Sequence, residues 1–201
     1  MFYHPEDGHG LPHNPFKAII APRPIGWIST VDAKGRANLA PYSFFNGVSD
    51  DPPMVMFCAT GDKEFRTETK DSIANVRETG QFVVNIVSEA LKDAMNISCG
   101  VYDHGDDEFV HAGLEKEMGQ VVDVPFVRDA PAALECELWR EIDLPGTGIM
   151  MIGTVKCIHL NDAFIKDGIF DVSAFKPLAR LGYRDYSVVD NLFSLNRPHQ
   201  T

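Results

Sequence analysis

Residues 134–144 and 149–160 place the strongest restriction on the fold, because polar and apolar side chains alternate along both segments. Successive side chains of a β-strand point to opposite faces, so Leu134 and Cys136 predict one face against a core. Residues 145–148, Pro-Gly-Thr-Gly, have the composition of a turn. The two segments therefore predict a long β-hairpin whose other face meets solvent or a partner.

Shorter β-rich runs surround this hairpin. A strand over 25–31 is followed by turn residues and by a second run over 36–46, which together predict another hairpin. Pro41 interrupts the second run, and because proline cannot donate to a ladder we expect this strand at an edge or a bulge. Backbone groups left unpaired there are available to a ligand. Further strands are predicted over 54–59 and 81–87.

Helices are predicted to be few and short. The segment 72–79 has helical spacing, with Ser72 or Asp71 as its N-cap and Gly80 just beyond its end. A second helix is predicted over 89–95, whereas 96–131 is predicted to be mostly loop, interrupted by a short helix over 107–114. About six or seven strands without regular strand–helix alternation favour a mostly β fold, a small antiparallel barrel, over a doubly wound α/β fold.

Charge and length restrict the partners. The 201 residues carry a net charge of −11, which disfavours a purely electrostatic binder of nucleic acid or of an anionic membrane surface. Apolar runs such as 54–59 are far shorter than the roughly 18 residues of a membrane helix. We expect one domain over 1–201, with 1–15 and 197–201 as arms or tails. Four cysteines without a CxxC pair, and no secretory signal at the N-terminus, predict reduced thiols in the cytoplasm.

A candidate phosphate site lies at 66–72, where Lys70 and Ser72 precede a predicted helix. A helix N-terminus presents N–H groups and a partial positive charge, which suit a phosphate when a lysine and a hydroxyl are added. An ordinary capped helix with solvated charges is the alternative interpretation of the same residues.

A second candidate is the aromatic segment 40–46 on the strand that Pro41 interrupts. Stacking surface and backbone donors and acceptors suit a flat heteroaromatic ligand. A core strand with two phenylalanines is the alternative. Trp27, Ser29 and Thr30 are the expected neighbours across the hairpin.

Other chemistry has little support. The spacing of Cys99, His104 and His111 matches no compact zinc pattern, and the acidic residues 103–108 lack the spacing of a calcium loop, so no metal site is predicted. No GxSxG, Walker or GxGxxG motif is present.

Several ordered segments resemble one family. They include Arg23-Pro24-Ile25-Gly26-Trp27-Ile28-Ser29-Thr30, Leu39-Ala40-Pro41-Tyr42-Ser43-Phe44-Phe45-Asn46, Lys70-Asp71-Ser72-Ile73-Ala74-Asn75 and Leu181-Gly182-Tyr183-Arg184-Asp185-Tyr186. With them the chain resembles the flavin reductase-like family of FMN-binding split-barrel proteins. Members usually show threonine in place of Ser72, and the hydroxyl is retained.

The resemblance implies a Greek-key split β-barrel with a few short helices, a homodimer with one FMN per subunit, and NADH or NADPH as co-substrate. It implies a flavin-dependent oxygenase or a redox protein as a further partner. A flavoredoxin-like FMN electron carrier and a non-catalytic flavin-binding module are the alternatives. No catalytic side chain is predicted, because the donor passes its hydride directly to the flavin. The implied cofactor-binding residues are Trp27, Ser29, Thr30, Tyr42, Ser43, Phe44, Phe45, Asn46, Ala59, Lys70, Asp71 and Ser72.

Overall fold

A computed structural model of the chain describes residues 1–60, 70–103 and 105–198. Its strands are β1 (Arg23–Pro24), β2 (Gly26–Val31), β3 (Ala37–Tyr42), β4 (Phe45–Asp50), β5 (Pro53–Ala59), β6 (Gln81–Ile86), β7 (Lys116–Met118), β8 (Pro125–Val127), β9 (Ala132–Asp143), β10 (Ile149–Leu160), β11 (Ile165–Lys166), β12 (Ile169–Phe170), β13 (Leu178–Arg180) and β14 (Tyr186–Val188). Its α-helices are α1 (Phe16–Ile19), α2 (Asp71–Thr79), α3 (Lys92–Ile97), α4 (Glu108–His111) and α5 (Val172–Phe175), and 3₁₀ turns cover Pro5–Asp7, Glu89–Leu91 and Asp162–Phe164.

The central sheet has seven antiparallel strands in the order β3-β2-β6-β9-β10-β5-β4. Strands β3 and β4 lie at opposite edges, yet only Ser43 and Phe44 separate them in the chain. Because two residues span only about 7 Å, the sheet must curve until its edges approach each other. The Cys58 N–H donates to the Phe44 carbonyl (2.8 Å) at this junction. The predicted mostly β split-barrel fold is confirmed.

Three hydrophobic clusters hold the described part of the barrel and its outer layer together, and two of them are large. The first fills the barrel and contains Phe57, Phe82 and Met151, all fully buried. The second lies between β2 and the outer elements, and includes Trp27 and Phe109. Strand β2 is therefore buried along its whole length, which explains why its sequence lacks the alternation of a half-exposed strand.

Most predicted elements are present, with corrections. The long hairpin is confirmed as β9 and β10, which pair from Ile149↔Asp143 to Leu160↔Ala132. The prediction of one strand over 36–46 is wrong, because the chain leaves β2 after Tyr42 and Phe45 begins β4 against β5. Within 96–131, the short helix predicted over 107–114 is present as α4, whereas β7 and β8 were not predicted.

The predicted start of the helix over 72–79 is one or two residues too late. The carbonyl of Lys70 accepts from the N–H groups of Ile73 (3.0 Å) and Ala74 (3.1 Å), so Lys70 is the N-cap and the helix begins at Asp71. Gly80 ends α2 in the left-handed conformation (φ 72°), as predicted.

All four cysteines are free thiols, with Cys58 and Cys136 buried and Cys99 exposed. Among the described residues, no helix has both the length and the apolar character to cross a membrane. The extent of the domain and the role of 1–15 and 197–201 as arms stay predictions.

Candidate functional site

A cleft of about 390 Å³ runs along the outer edge of β3. This volume falls within the range of about 300–1,000 Å³ that is usual for small-molecule sites. Four elements enclose it: the edge strand, the start of α2, the loop after α3 and the start of α4. Its walls are formed by Asn38, Ala40, Pro41, Tyr42, Lys70, Asp71, Ser72, Ser98, Cys99, Gly100, Val101, Tyr102 and Glu108.

Strand β3 presents part of its backbone to this cleft. Its outward Leu39 N–H donates to the Glu108 carboxylate (2.9 Å). Pro41 is two residues further along and faces the same way in an extended strand, but it has no N–H to offer. The prediction that Pro41 marks an edge strand is thus confirmed. Burial is the largest influence on Glu108 and raises the pKa of its carboxyl group.

A buried hydrogen-bond network fixes the start of α2 against β3. The Asn38 side-chain amide donates to the Ser72 hydroxyl (2.9 Å), which is only 1% exposed. Burial raises the pKa of the Tyr42 phenol to about 12, and the neighbouring Ser72 hydroxyl offsets only part of this rise. The phenol therefore stays neutral at ordinary pH, and the network holds the first turn of the helix in one position.

Lys70 provides positive charge at the mouth of this helix. Its ammonium lies 5.6 Å from the centroid of the Tyr42 ring. Burial, and secondly the charge of Lys17, lower the pKa of Lys70. Within 1–60, 70–103 and 105–198, no carboxylate lies within ion-pair distance of it. A partly desolvated cation without a counter-ion, beside a nine-residue helix N-terminus, is suited to a ligand anion.

Trp27, Ser29 and Thr30 lie in the core behind the cleft. The Trp27 indole donates to the Ser98 hydroxyl (2.9 Å) and thereby holds the loop that closes the cleft. The Asn75 amide donates to Thr30 (3.0 Å) and fixes α2 on β2. Ser29 accepts from the Asn85 amide (3.2 Å). These three predicted residues support the walls rather than forming them.

Ser43 and Phe44 lie at the junction of the two sheet edges, among cations. The Lys17 ammonium and the Arg23 guanidinium each lie 5.9 Å from the centroid of the Phe44 ring. The Ser43 hydroxyl accepts a long hydrogen bond from Arg23 (3.5 Å). Positive charge therefore continues from Lys70 toward this junction.

The remaining predicted residues lie on β4 and β5. Phe45 is buried in the barrel core, and Asn46 is exposed, with its side-chain oxygen accepting from the Gly47 N–H (2.9 Å). Ala59 is buried and pairs with Ile149. None of these three contributes to the wall of the main cleft. Of the predicted phosphate segment 66–72, residues 66–69 lie outside the described residues, as does His104.

The sequence interpretation missed several wall residues, chiefly Glu108, Asn38 and the loop 98–102. The signal for Glu108 is its position next to the apolar Phe109 at the start of a short helix. Because Phe109 is expected in the core, its neighbour Glu108 is brought close to the core as well, where a carboxylate is unusual. Asn38 lies opposite Thr30 across the β2–β3 hairpin. The loop gives no comparable signal, because its position depends on the indole of Trp27.

Glu135, Cys157 and His159 form a compact set of potential metal ligands on β9 and β10, with donor atoms within 4.8 Å of one another. Glu135 is fully buried. Its oxygens accept from the backbone N–H groups of residues 120–122 and from His159. Burial alone raises the pKa of Glu135, but these hydrogen bonds together outweigh it and lower the pKa to about 2. The carboxylate is already saturated, so this cluster fastens a loop to the barrel.

Comparison with known proteins gives a match over most of the chain. The family described as flavin reductase like domain matches residues 20–179. An uncharacterized protein of Deinococcus radiodurans is 37% identical over 188 residues, which cover 90% of this chain and 82% of that protein.

Two crystal structures are similar in fold and in sequence. Nitrilotriacetate monooxygenase component B from Bacillus cereus superposes with a TM-score of 0.84 at 29% identity, covering 94% of this chain and all of that one (100%). The 2-nitrobenzoate 2-nitroreductase of Pseudomonas fluorescens superposes with a TM-score of 0.81 at 28% identity, covering 92% of this chain and 89% of that one.

Proposed function

The chain belongs to the flavin reductase-like family, and from this membership we propose that it is an FMN-dependent oxidoreductase that transfers a hydride from NADH or NADPH to flavin. Bound FMN would accept the hydride and pass the electrons on to an acceptor. The chain's own residues then have to hold the flavin, orient it and keep competing reactions out.

Lys70 is the observation that carries this proposal. The chain has a net charge of −11, yet this partly buried ammonium has no carboxylate partner among the described residues. With the Ser72 hydroxyl and the first N–H groups of α2 beside it, Lys70 offers a phosphate the charge and donors it needs. We therefore assign Lys70, Asp71 and Ser72 to the phosphate of FMN.

The rest of the cleft suits the flavin ring and the ribityl chain. Tyr42 offers a neutral aromatic wall, and the edge of β3 offers carbonyl acceptors beside Pro41. Ser43 and Phe44 continue this surface. Trp27, Ser29 and Thr30 act as positioning residues, and Phe45, Asn46 and Ala59 stay predicted ligand neighbours without a described place in the cleft wall.

We also propose a homodimer. Apolar side chains remain exposed outside the cleft, including Trp139 (56% exposed) on β9 and Phe193 and Leu195 (82% and 84%) near the C-terminus. Aromatic residues are enriched in protein interfaces, so the exposed Trp139 is a suitable centre for the dimer contact.

The four free thiols suit a reducing compartment, and we propose the cytoplasm.

A flavin-dependent oxygenase is the proposed downstream partner, because one similar structure is named as a component of a monooxygenase. A redox protein as electron partner belongs instead to the flavoredoxin-like alternative.

Steady-state assays separate the oxidoreductase function from the electron-carrier function. For the oxidoreductase, we expect that the protein takes up FMN and continuously oxidises NADH or NADPH when free flavin or oxygen accepts the electrons.

Tight FMN binding with reduction only by a redox protein would establish the carrier function instead. Bound flavin that no donor reduces would establish the non-catalytic module. A protein that takes up no FMN would overturn all three.

A further inference from the structure

A second group of positive charges lies beside the proposed flavin site. Arg23 and Arg180 are direct cross-strand partners of β1 and β13. Like charges placed opposite each other are unfavourable. Burial, and secondly the charge of Arg180, lower the pKa of Arg23.

Neither guanidinium has a carboxylate within ion-pair distance in the part of the chain that the structure describes. Arg23 donates to backbone carbonyls, including that of Leu181 (2.8 Å). Arg180 donates to the Tyr186 hydroxyl and to the Tyr183 carbonyl (2.6 Å). All these acceptors are neutral, so neither positive charge is compensated among the described residues, and Arg180, which lines a cavity, is the one that an anion can reach.

Arg180 also faces a cavity of its own, of about 100 Å³, together with Ser43 and Tyr186. Pro41 and Cys99 belong to the walls of both this cavity and the main cleft. The Arg180 cavity therefore adjoins the main cleft and shares Ser43 with the surface assigned to the flavin.

A third cavity, of about 240 Å³, adjoins the Arg180 cavity and shares no wall residue with the main cleft. It shares Met95 and Tyr186 with the Arg180 cavity, and its polar wall residues are Lys92, Asp93 and Asn96. The three cavities thus form a row with Arg180 in the middle. A row of this kind suits a long ligand with an anionic centre.

Resting on the proposed function, we propose that Arg180 binds the pyrophosphate of the nicotinamide dinucleotide and that the third cavity receives its adenosine end. The flavin phosphate is already assigned to Lys70 in the main cleft. NADH and NADPH both carry a pyrophosphate between two planar rings, which matches the row of cavities. A guanidinium forms paired hydrogen bonds with phosphate oxygens, and Arg180 is half-buried whereas Arg23 is buried, so Arg180 is the more accessible member of the arginine pair.

The test compares two hydride donors on the FMN-loaded protein. Arg180→Gln should raise KM for NADH or NADPH by about ten- to a hundredfold. The same variant should leave the rate with N-benzyl-1,4-dihydronicotinamide unchanged, because that donor has the reacting ring but no phosphate. The Kd for FMN should also stay at its wild-type value, and Arg180→Lys should recover part of the lost affinity.

Arg128→Gln is the matched control. It removes one positive charge from a distant surface arginine that pairs with Glu115, and it should leave both donors unaffected. An unchanged KM in Arg180→Gln would overturn the inference. An equal loss with both donors, or a weaker FMN complex, would instead place Arg180 at the flavin and would also overturn it.

Binding of ADP-ribose gives an independent readout that does not depend on turnover. ADP-ribose carries the pyrophosphate without the nicotinamide, so it should bind the FMN-loaded wild type and bind Arg180→Gln at least tenfold more weakly. If the wild type oxidises neither donor, the proposed oxidoreductase function fails. ADP-ribose binding that depends on Arg180 would still support the anion site, and no binding to the wild type would overturn it.

Discussion

Two regions of the barrel differ in how a buried charge is paired. On β9, the carboxylate of Glu135 has every acceptor position directed at a donor of the protein itself. Beside β3, Lys70 has aromatic and polar neighbours but no carboxylate within the described residues. A buried charge that is fully paired within the protein indicates a structural role. A buried charge without a protein partner indicates a ligand that supplies the opposite charge. Mutations in the first region should therefore cost stability, and those in the second should cost affinity.

Removal of the Glu135 carboxylate should produce the largest effect. Glu135→Ala leaves three backbone N–H groups and His159 without their acceptor, and loss of one member of a buried charged network costs about 3–5 kcal/mol. Chemical denaturation should show this loss in the free energy of unfolding, while the Kd for FMN of the folded protein stays unchanged. The control is Glu137→Gln, which removes an exposed pair with Lys156 and should cost about 0–1 kcal/mol. Equal losses for the two variants would contradict the structural role of Glu135.

The Glu135 carboxylate should also make the free energy of unfolding depend on pH in the acidic range. Its pKa in the folded protein is lowered to about 2 from a reference value of 4.5. A lowered folded-state pKa contributes stability that is complete above the unfolded-state value and is lost as pH falls toward the folded-state value. The free energy of unfolding of the wild type should thus decline between pH 4.5 and about 2. Glu135→Ala should lack this part of the decline, and parallel pH profiles for the two proteins would refute the assignment.

Lys70→Ala should weaken FMN by about one to two decades in Kd, which corresponds to the roughly 1.5–3 kcal/mol of a charge-assisted hydrogen bond. Riboflavin lacks the phosphate, so its Kd should hardly change. Fluorescence titration of both flavins measures the difference. Lys156→Ala removes a lysine of the β10 surface and serves as the control. Equal losses for FMN and riboflavin would place the phosphate elsewhere.

Ser72→Ala should have the smallest effect of the series. It removes one neutral hydroxyl, for which we expect a loss of about 0.5–1.5 kcal/mol in FMN binding and again little change for riboflavin. The Asn38 amide loses its acceptor as well, so a thermal melt should show a modest loss of stability. A variant that binds FMN as tightly as the wild type would remove Ser72 from the phosphate site.

The sequence predicted elements well wherever local pattern and tertiary environment agree. The β9–β10 hairpin alternates in the way that one buried face requires, and Pro41 on β3 identified the edge strand on which the cleft lies. The prediction of one strand over 36–46 fails because these residues favour extended structure throughout. No local signal marks the point at Ser43 where the chain passes from one edge of the sheet to the other.

The candidate site was predicted in part for a similar reason. Lys70 and Ser72 are only two residues apart in the chain, so a local pattern could identify them. Glu108, Ser98 and Arg180 reach their places through long-range contacts with Leu39, Trp27 and Arg23. Such contacts depend on the closed barrel, and a periodic sequence pattern carries no information about them.

Anaerobic titration of the FMN-loaded protein with NADH and with NADPH tests the central claim most directly. If the chain is a hydride-transferring flavin oxidoreductase, about one equivalent of one of these donors should bleach the visible absorption of the bound flavin, and the admission of oxygen should restore it. Flavin that stays oxidised in excess of both donors, while dithionite reduces it, would contradict the claim.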